Sequence, residues 1–504
     1  MHVPLGDLIL TGLEAGSFSG LPANRRVFEL VRQAILGHQL QGGARLPSTR
    51  DLAIELGLSR NTVLAAYEQL LAEGYIEART GSGSYVADTL PRSLASASPK
   101  PARQAGDAAP RELSRRGRRL TATPSDKCFE IQEFVAGAND FSAFPHKLWQ
   151  RLQNKHWRSP EPAFLDYARA GGYRPLRESL TEYLRVSRSV RLNPDQVLIT
   201  AGTQQSLDLC ARLLADSGDM VWMENPGYWG ARRIFEANDL NLRPVAVDAD
   251  GMAPSAADLQ TAPRMIYVTP SHQYPTDVVM GLSRRRLLIE FAARKGAWIL
   301  EDDYDSEFRY GGRPLASLQG LDSHARVIYL GTFSKVLYPG IRIGYVVVPP
   351  DLIESFRTGL SDIHRPGQMA VQAALSDFIR QGHFSSHIRN VRSRYGKCRA
   401  LLQQGLQQTL LPQARLSNAD TGLHLVIHLP EHCDDVLLVA QAKRRQLDVK
   451  PLSAYYVAPP LTRGVVVGYG YTPLEQIMPS ALCLAELVNR HIRATGQAGA
   501  ARRP

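Results

Sequence analysis

With 504 residues, 44% hydrophobic and 21% charged, the chain is globular in composition and too long for a single core. No apolar run approaches the ~18 residues of a membrane helix, and Gly6, Asp7, Glu14 and Gly16 interrupt any secretory apolar stretch, so a membrane partner is not expected. The formal net charge of +11 permits an anionic partner without requiring one. Five scattered cysteines (Cys128, Cys210, Cys398, Cys433, Cys483) form no close pair; they read as reduced thiols of a cytoplasmic protein, and no metal-ligand set is expected.

The first compact unit spans residues 21–88. Ser48 with Asp51 has the spacing of a capping box and opens a short helix to about Leu56. Gly57 permits a tight turn, and Ser59 is an N-cap for a second helix to Glu73. Val63, Ala66, Tyr67, Leu70 and Leu71 form its apolar stripe, with Arg60, Asn61, Leu64 and Glu68 opposite. Gly74 ends it in a left-handed turn. Residues 75–79 and 84–86 then flank Thr80-Gly81-Ser82-Gly83, a hairpin or wing. Arg60, Asn61 and Thr62, at the start of the second helix, carry donors suited to bases and phosphates.

Residues 89–127 carry nine Lys or Arg against three Asp or Glu and few large apolar residues. Such a stretch cannot offset the entropy of ordering and is expected to be a flexible basic linker. From 128 to 492 short runs that are apolar on both faces recur: 197–200, 220–223, 265–268, 298–300, 327–330 and 344–348. Their intervening helical patterns predict an α/β domain with a covered sheet. The whole is therefore multidomain: an N-terminal α+β head and a C-terminal α/β domain.

The α/β segment holds a constellation of chemically useful groups. Lys335 follows the strand 327–330 and the turn Gly331-Thr332-Phe333-Ser334, at the edge where open α/β sheets bind ligands. Asp302 and Tyr304, two apart beyond the strand 298–300, share a face, whereas Asp303 points away. Glu301, Asp303, Asp305 and Glu307 read as an acidic strand end reaching solvent. Gly202, Thr203 and Gln204 open a helix, a natural phosphate cradle. Arg342 and Thr332 add donors, and Tyr228 offers a ring to stack. A Schiff-base amine, a carboxylate for a pyridine nitrogen, an aromatic face and phosphate donors are the four demands of pyridoxal phosphate.

The ordered set of helix, Leu46-Pro47-Ser48-Thr49-Arg50, Ser59-Arg60-Asn61-Thr62-Val63, glycine and wing resembles the winged helix-turn-helix of the GntR regulators. That resemblance implies DNA contacts by Arg50, Ser59, Arg60, Asn61 and Thr62, and by Thr80 and Gly81 of the wing. Residues from about 130 to 490 resemble the fold-type I pyridoxal phosphate enzymes of the aspartate aminotransferase superfamily. This implies Lys335 as the Schiff-base residue, holding the cofactor as an internal aldimine, with Asp302, Tyr304, Tyr228, Gly202, Thr203, Gln204, Thr332 and Arg342 around it. It also implies a homodimer, with Tyr167 reaching the neighbouring subunit's phosphate.

Two positions depart from the enzymes. Tyr274 stands where they carry the asparagine of Asn-Pro-Thr-Gly, and Val466 where they carry the arginine that clamps a substrate carboxylate; Arg463 and Arg232 are candidate substitutes. The two halves together, with Thr269-Pro270-Ser271-His272-Gln273, His387-Ile388-Arg389 and Arg394-Tyr395, resemble the MocR-type regulators. The function implied is a pyridoxal-phosphate-dependent transcription factor. It would act on double-stranded DNA at the nucleoid, on an operator with two half-sites, and sense an amine, an amino acid or the cofactor itself without steady turnover. The rival expectation is a working aminotransferase with a fused DNA-binding head.

Overall fold

The computed structural model describes residues 5–16, 18–37, 39–79, 82–88, 112–121, 132–158, 161–166, 171–311, 315–365, 367–417 and 420–500. Tyr167, Thr80, Gly81 and Cys128 lie outside these residues. The chain divides into two compact units, Met1–Glu112 and Leu113–Pro504.

The first unit contains helices α1 (Leu5–Glu14), α2 (Ala23–Leu36), α3 (Thr49–Glu55) and α4 (Arg60–Ala72), then strands β1 (Ile76–Arg79) and β2 (Gly83–Val86). Val63, Ala66, Tyr67 and Leu70 of α4 are buried against Val27, Phe28, Val31 and Leu52. Leu71, placed in the same stripe from sequence, is 46% exposed. It lies one residue beyond Leu70 and is turned about 100° around the axis, off the buried face. Helix α1, which precedes the span read as the head, inserts Leu5 and Ile9 into the same core.

The turn between α3 and α4 follows the sequence signals. Gly57 has φ +63°, and Gly74 beyond α4 has φ +74°, both left-handed conformations that glycine adopts without strain. The Ser59 hydroxyl accepts the Thr62 amide at 3.2 Å, and the Ser48 hydroxyl accepts the Asp51 amide at 3.1 Å. The Asp51 carboxylate accepts from the Ser48 hydroxyl at 2.6 Å, closing the cap through the side chain. Strands β1 and β2 pair antiparallel, Ile76 opposite Val86 and Arg79 opposite Gly83, the register of a short wing.

The second unit opens with helix α5 (Arg115–Thr121), inside the span read as a flexible linker. Arg116 and Arg119 bond the Asp239 carboxylate at 3.0 and 2.6 Å. These exposed ion pairs hold a helix that has no buried residue of its own, which the apolar content of the segment could not foretell.

The main sheet has eight strands: β3 (Val197–Thr200), β4 (Met220–Asn225), β5 (Asn241–Asp248), β6 (Gly251–Met252), β7 (Met265–Val268), β8 (Trp298–Asp303), β9 (Val327–Thr332) and β10 (Gly344–Val347). Their spatial order is β3-β10-β9-β8-β7-β4-β5-β6. The five central strands from β9 to β5 run parallel; β10 lies antiparallel to both β9 and β3. Alternate residues go to opposite sides. Met265, Tyr267 and Leu300 pack with Leu207 and Leu209 of the helix Thr203–Leu214, whereas Ile266, Val268 and Ile299 pack with Leu288 and Phe291 of the helix Leu282–Lys295. A smaller sheet of β11 (Arg415–Leu416), β12 (His424–Leu429), β13 (Lys450–Pro451) and β14 (Arg463–Gly468) has the order β11-β12-β14-β13. No helix among the described residues is long and apolar enough to cross a membrane.

A buried ion pair ties the helix Arg174–Arg188 to the sheet. Arg188 Nε donates to Asp303 Oδ2 at 2.7 Å, and its Nη2 donates to the Ser271 hydroxyl at 2.6 Å. Burial works against the Arg188 charge, but Asp303 outweighs it and holds the guanidinium above its usual range.

Two outcomes follow from these local interactions. Ser59→Ala should cost about 1 kcal/mol of local stability, seen as roughly fivefold faster amide exchange in α4. Arg188→Met should destabilise the second unit by about 3–5 kcal/mol in denaturant melts, because Asp303 is left buried without its cation.

Candidate functional site

The carboxyl ends of the parallel strands open onto a cavity of about 250 Å³. Gly202, Thr203, Gln204, Tyr228, Asp302, Tyr304, Thr332, Lys335 and Arg342 all line it. Every described residue that the sequence nominated for the cofactor is therefore in one place, although the nominations come from five separate stretches of chain.

Strand β8 supplies the acid by its pleat. Leu300 faces the Tyr267 side of the sheet, so Asp302 does too, and its Oδ2 accepts from the Tyr267 hydroxyl at 2.8 Å. Asp302 Oδ1 is buried with no hydrogen-bond partner. Burial, opposed in part by Tyr267, raises this carboxyl to about 7. Asp303 points the other way, to Arg188 and to the Tyr329 hydroxyl.

The acids flanking Asp302 do not reach solvent, contrary to the expectation of an acidic strand end. Glu301 is fully buried and accepts the amides of Leu318 and Gln319 at 2.8 and 2.9 Å. Asp305 is buried against His272, and the partly buried Glu307 accepts from the Tyr183 hydroxyl at 3.0 Å. A strand that is buried on both faces carries its acids inward, and each is retained by a donor from another element.

Lys335 Nζ donates to the Gly137 carbonyl at 2.7 Å. Burial lowers its pKa, with Asp305 and Asp302 opposing. The turn that carries it is braced from outside: Asn139 Nδ2 donates to the carbonyls of Ser334 and Lys335 at 2.9 and 2.7 Å. His387 Nε2 bonds the Val336 carbonyl at 2.8 Å, while Arg394 pairs with Asp140 at 2.5 Å and the Tyr395 hydroxyl accepts the Asp140 amide at 3.0 Å.

Opposite Lys335, Gly202 caps the helix Thr203–Leu214 with φ +115°. A Cβ on Gly202 would approach only the Arg342 guanidinium, at 3.8 Å. A Cβ on Gly344 of β10 would lie 2.6 Å from Gly202 Cα, so glycine at 344 allows the strand to pass behind the turn. Gln204 Nε2 donates to the Tyr228 hydroxyl at 3.0 Å. Helix-start amides, Thr203, Thr332 and Arg342 thus converge as donors for an anion.

The cavity also contains Tyr274, marked in the sequence only as a departure from the enzymes, and His424, which the sequence did not single out. Tyr274 and Tyr228 meet edge to face at 5.9 Å, and the Tyr274 hydroxyl bonds that of Tyr455 at 3.1 Å. His424, at the start of β12, lines the wall. His272 lies behind Tyr304, whose hydroxyl is 2.9 Å from His272 Nδ1. His272, Asp277 and His424 bring ligand-type atoms within 4.8 Å of one another. Their contacts of 3.0 and 2.8 Å are hydrogen-bond lengths, shorter than the ~3.3 Å between ligand atoms around tetrahedral zinc. The motif containing His272 was visible in sequence; His424, about 150 residues away, had no local signal.

Val466, matched by sequence to the enzymes' carboxylate-clamp arginine, is buried in β14 opposite Val426 and does not line the cavity. Arg463 pairs with Asp435 at 3.4 Å and Arg232 with Glu236 at 2.9 Å, and neither lines the cavity. Among the described lining residues, Arg342 carries the guanidinium.

Two family models match the chain: the bacterial regulatory proteins of the gntR family over residues 23–86, and the aminotransferases of class I and II over 136–463. The probable rhizopine catabolism regulatory protein MocR of Rhizobium meliloti is 39% identical over 89% of this chain and 90% of its own length. The pyridoxine biosynthesis transcriptional regulator PdxR of Corynebacterium glutamicum is 30% identical over 88% and 90%. Among solved structures, the multiple substrate aminotransferase of Thermococcus profundus superposes with a TM-score of 0.69 at 25% identity, covering 76% of this chain and 98% of that one. A GntR-type head precedes an aminotransferase-like domain across nearly the whole length, and the chain belongs to the MocR-type subfamily of the GntR transcriptional regulators.

Proposed function

We infer that the protein is a pyridoxal-phosphate-dependent transcriptional regulator whose DNA affinity answers to a small amine, an amino acid or the cofactor itself. The observation that carries this reading is the gathering of Lys335, Asp302, Tyr304, Tyr228 and Arg342 around one cavity in a chain headed by a GntR-type DNA-binding unit.

The cavity's residues fit the cofactor. The orphaned Asp302 Oδ1 is an acceptor for a protonated ring nitrogen. The Gly202 turn leaves room for a phosphate in front of Arg342 and the Thr203 helix start. Lys335, its charge disfavoured by burial, is a suitable nucleophile for the aldehyde. When bound, the cofactor supplies an electrophilic carbon that captures amines and a ring that accepts electrons.

In the head, Arg60, Asn61 and Thr62 occupy the first turn of α4, where a recognition helix meets base edges, and Ser59 and Arg50 flank it. These side chains, together with the wing residues Thr80 and Gly81, form the proposed DNA surface. A homodimer would present two such heads to two half-sites. An effector biases the DNA-bound form only through unequal affinity for the two states. The regulator reading is favoured over an aminotransferase because Val466 offers no charge to orient a substrate carboxylate, and positioning supplies much of such catalysis.

Protein loaded with pyridoxal phosphate should show a visible absorbance band that Lys335→Ala abolishes; a band that survives the substitution would falsify the lysine assignment. Added amines should change the spectrum without steady amino transfer to a keto acid, and transfer at ordinary enzyme rates would favour the enzyme reading. Arg60→Ala should weaken operator binding and, if Arg60 meets a phosphate, reduce the salt dependence by about one unit of slope.

A further inference from the structure

His272 stands in a cage of acceptors. Its Nδ1 is 2.9 Å from Asp305 Oδ2 and 2.9 Å from the Tyr304 hydroxyl; its Nε2 is 3.0 Å from Asp277 Oδ1. The cage is held from a second side. Asp277 Oδ1 is 2.8 Å from His424 Nε2, and Asp277 Oδ2 accepts from the Ser417 hydroxyl at 2.6 Å. The titratable groups facing His272 are Asp305 and Tyr304 from the segment after β8, Asp277 from its own loop and His424 from β12.

Proton counting fixes the direction of these bonds. An ionised carboxylate only accepts, so a carboxylate on each ring nitrogen requires a proton on each. Burial disfavours the charge, but Asp305 and Asp277 push His272 up to about 10. With Nδ1 protonated, His272 cannot accept from Tyr304. The one Nδ1 proton is shared between Asp305 Oδ2 and the Tyr304 oxygen as a three-centre bond, and the phenolic proton must point elsewhere. Among the described residues His272 is the one hydrogen-bond partner of this hydroxyl, and Tyr304 lines the cavity.

We propose that His272 is a positioning residue which, by donating to the Tyr304 oxygen, commits the Tyr304 proton to the ring oxygen of the cofactor and so tunes the proton affinity of the nitrogen that Lys335 contributes. The inference rests on the reading that the cavity takes pyridoxal phosphate. It also accounts for Tyr274. At the position where aminotransferases carry an asparagine, its hydroxyl is engaged by Tyr455, so Tyr304 is left as the donor and its orientation matters more.

The test is the pH midpoint at which the visible band of the loaded, full-length protein converts between its two forms. A donor on the ring oxygen weakens that oxygen's hold on the neighbouring proton. Losing the donor lets the nitrogen keep its proton to higher pH. Tyr304→Phe should raise the midpoint by about one pH unit, His272→Gln should raise it in the same direction, and the double variant should match Tyr304→Phe alone. An unmoved midpoint in His272→Gln overturns the proposal. So does a His272→Gln shift that persists in the Tyr304→Phe background, which marks through-space charge instead of an oriented hydroxyl. Wild-type protein without a Lys335-dependent band fails at the cavity reading itself. Should His272→Gln not fold, nitrogen-15 spectra of histidine-labelled wild-type protein decide. One of the 13 imidazoles should keep both protons beyond pH 8, and a set that all titrates below pH 8 overturns the proposal.

Discussion

Four carboxylates, Glu301, Asp302, Asp303 and Asp305, are buried within five residues at the end of β8, and the surrounding architecture answers to them. Burying a charge without a partner is costly enough that each acid must be met by a donor or a cation, or kept protonated. The pleat sends them to different addresses. Glu301 takes two amides that start a helix, Asp303 takes Arg188, Asp305 takes His272, and Asp302 faces the cavity with one oxygen bonded to Tyr267 and the other unmet. Asp303 Oδ1 is unmet as well, but Asp303 faces the opposite side of the sheet; the unmet oxygen on the cavity side is that of Asp302.

The same economy explains the layers behind Lys335. A lysine on a bare turn would sample many positions. Here Asn139 gathers the Ser334 and Lys335 carbonyls, and His387 holds that of Val336. The turn is fixed from the side away from the cavity, which leaves the amine as its adjustable part. Regulation through such a pocket needs a rigid site, because a ligand can shift an equilibrium only by the contacts it makes unequally in two states.

Much of this was legible in the sequence, for identifiable reasons. The strands β3, β4, β7, β8, β9 and β10 announce themselves as short apolar runs, because a sheet covered on both faces needs them. Strand parity alone separates Asp302 from Asp303. The Ser59 cap and the turn glycines Gly57 and Gly74 follow from local backbone chemistry. Strand β5 was less visible, since Asn241, Arg243 and Pro244 break its apolar pattern. The fates of Glu301 and Asp305 were misread, because their donors come from Leu318 and His272, distant positions that no local periodicity connects. Helix α5 escaped notice for a similar reason: its anchor, Asp239, lies more than a hundred residues downstream.

Val466 does not itself line the cavity; it is buried with Val426, Leu452, Tyr455 and Tyr456, and Tyr274, which does line the cavity, packs on the same cluster. A charged side chain in that layer would be buried without a counter-charge, a loss of several kcal/mol. The packing that seats Tyr274 against the pocket therefore depends on an aliphatic residue at 466.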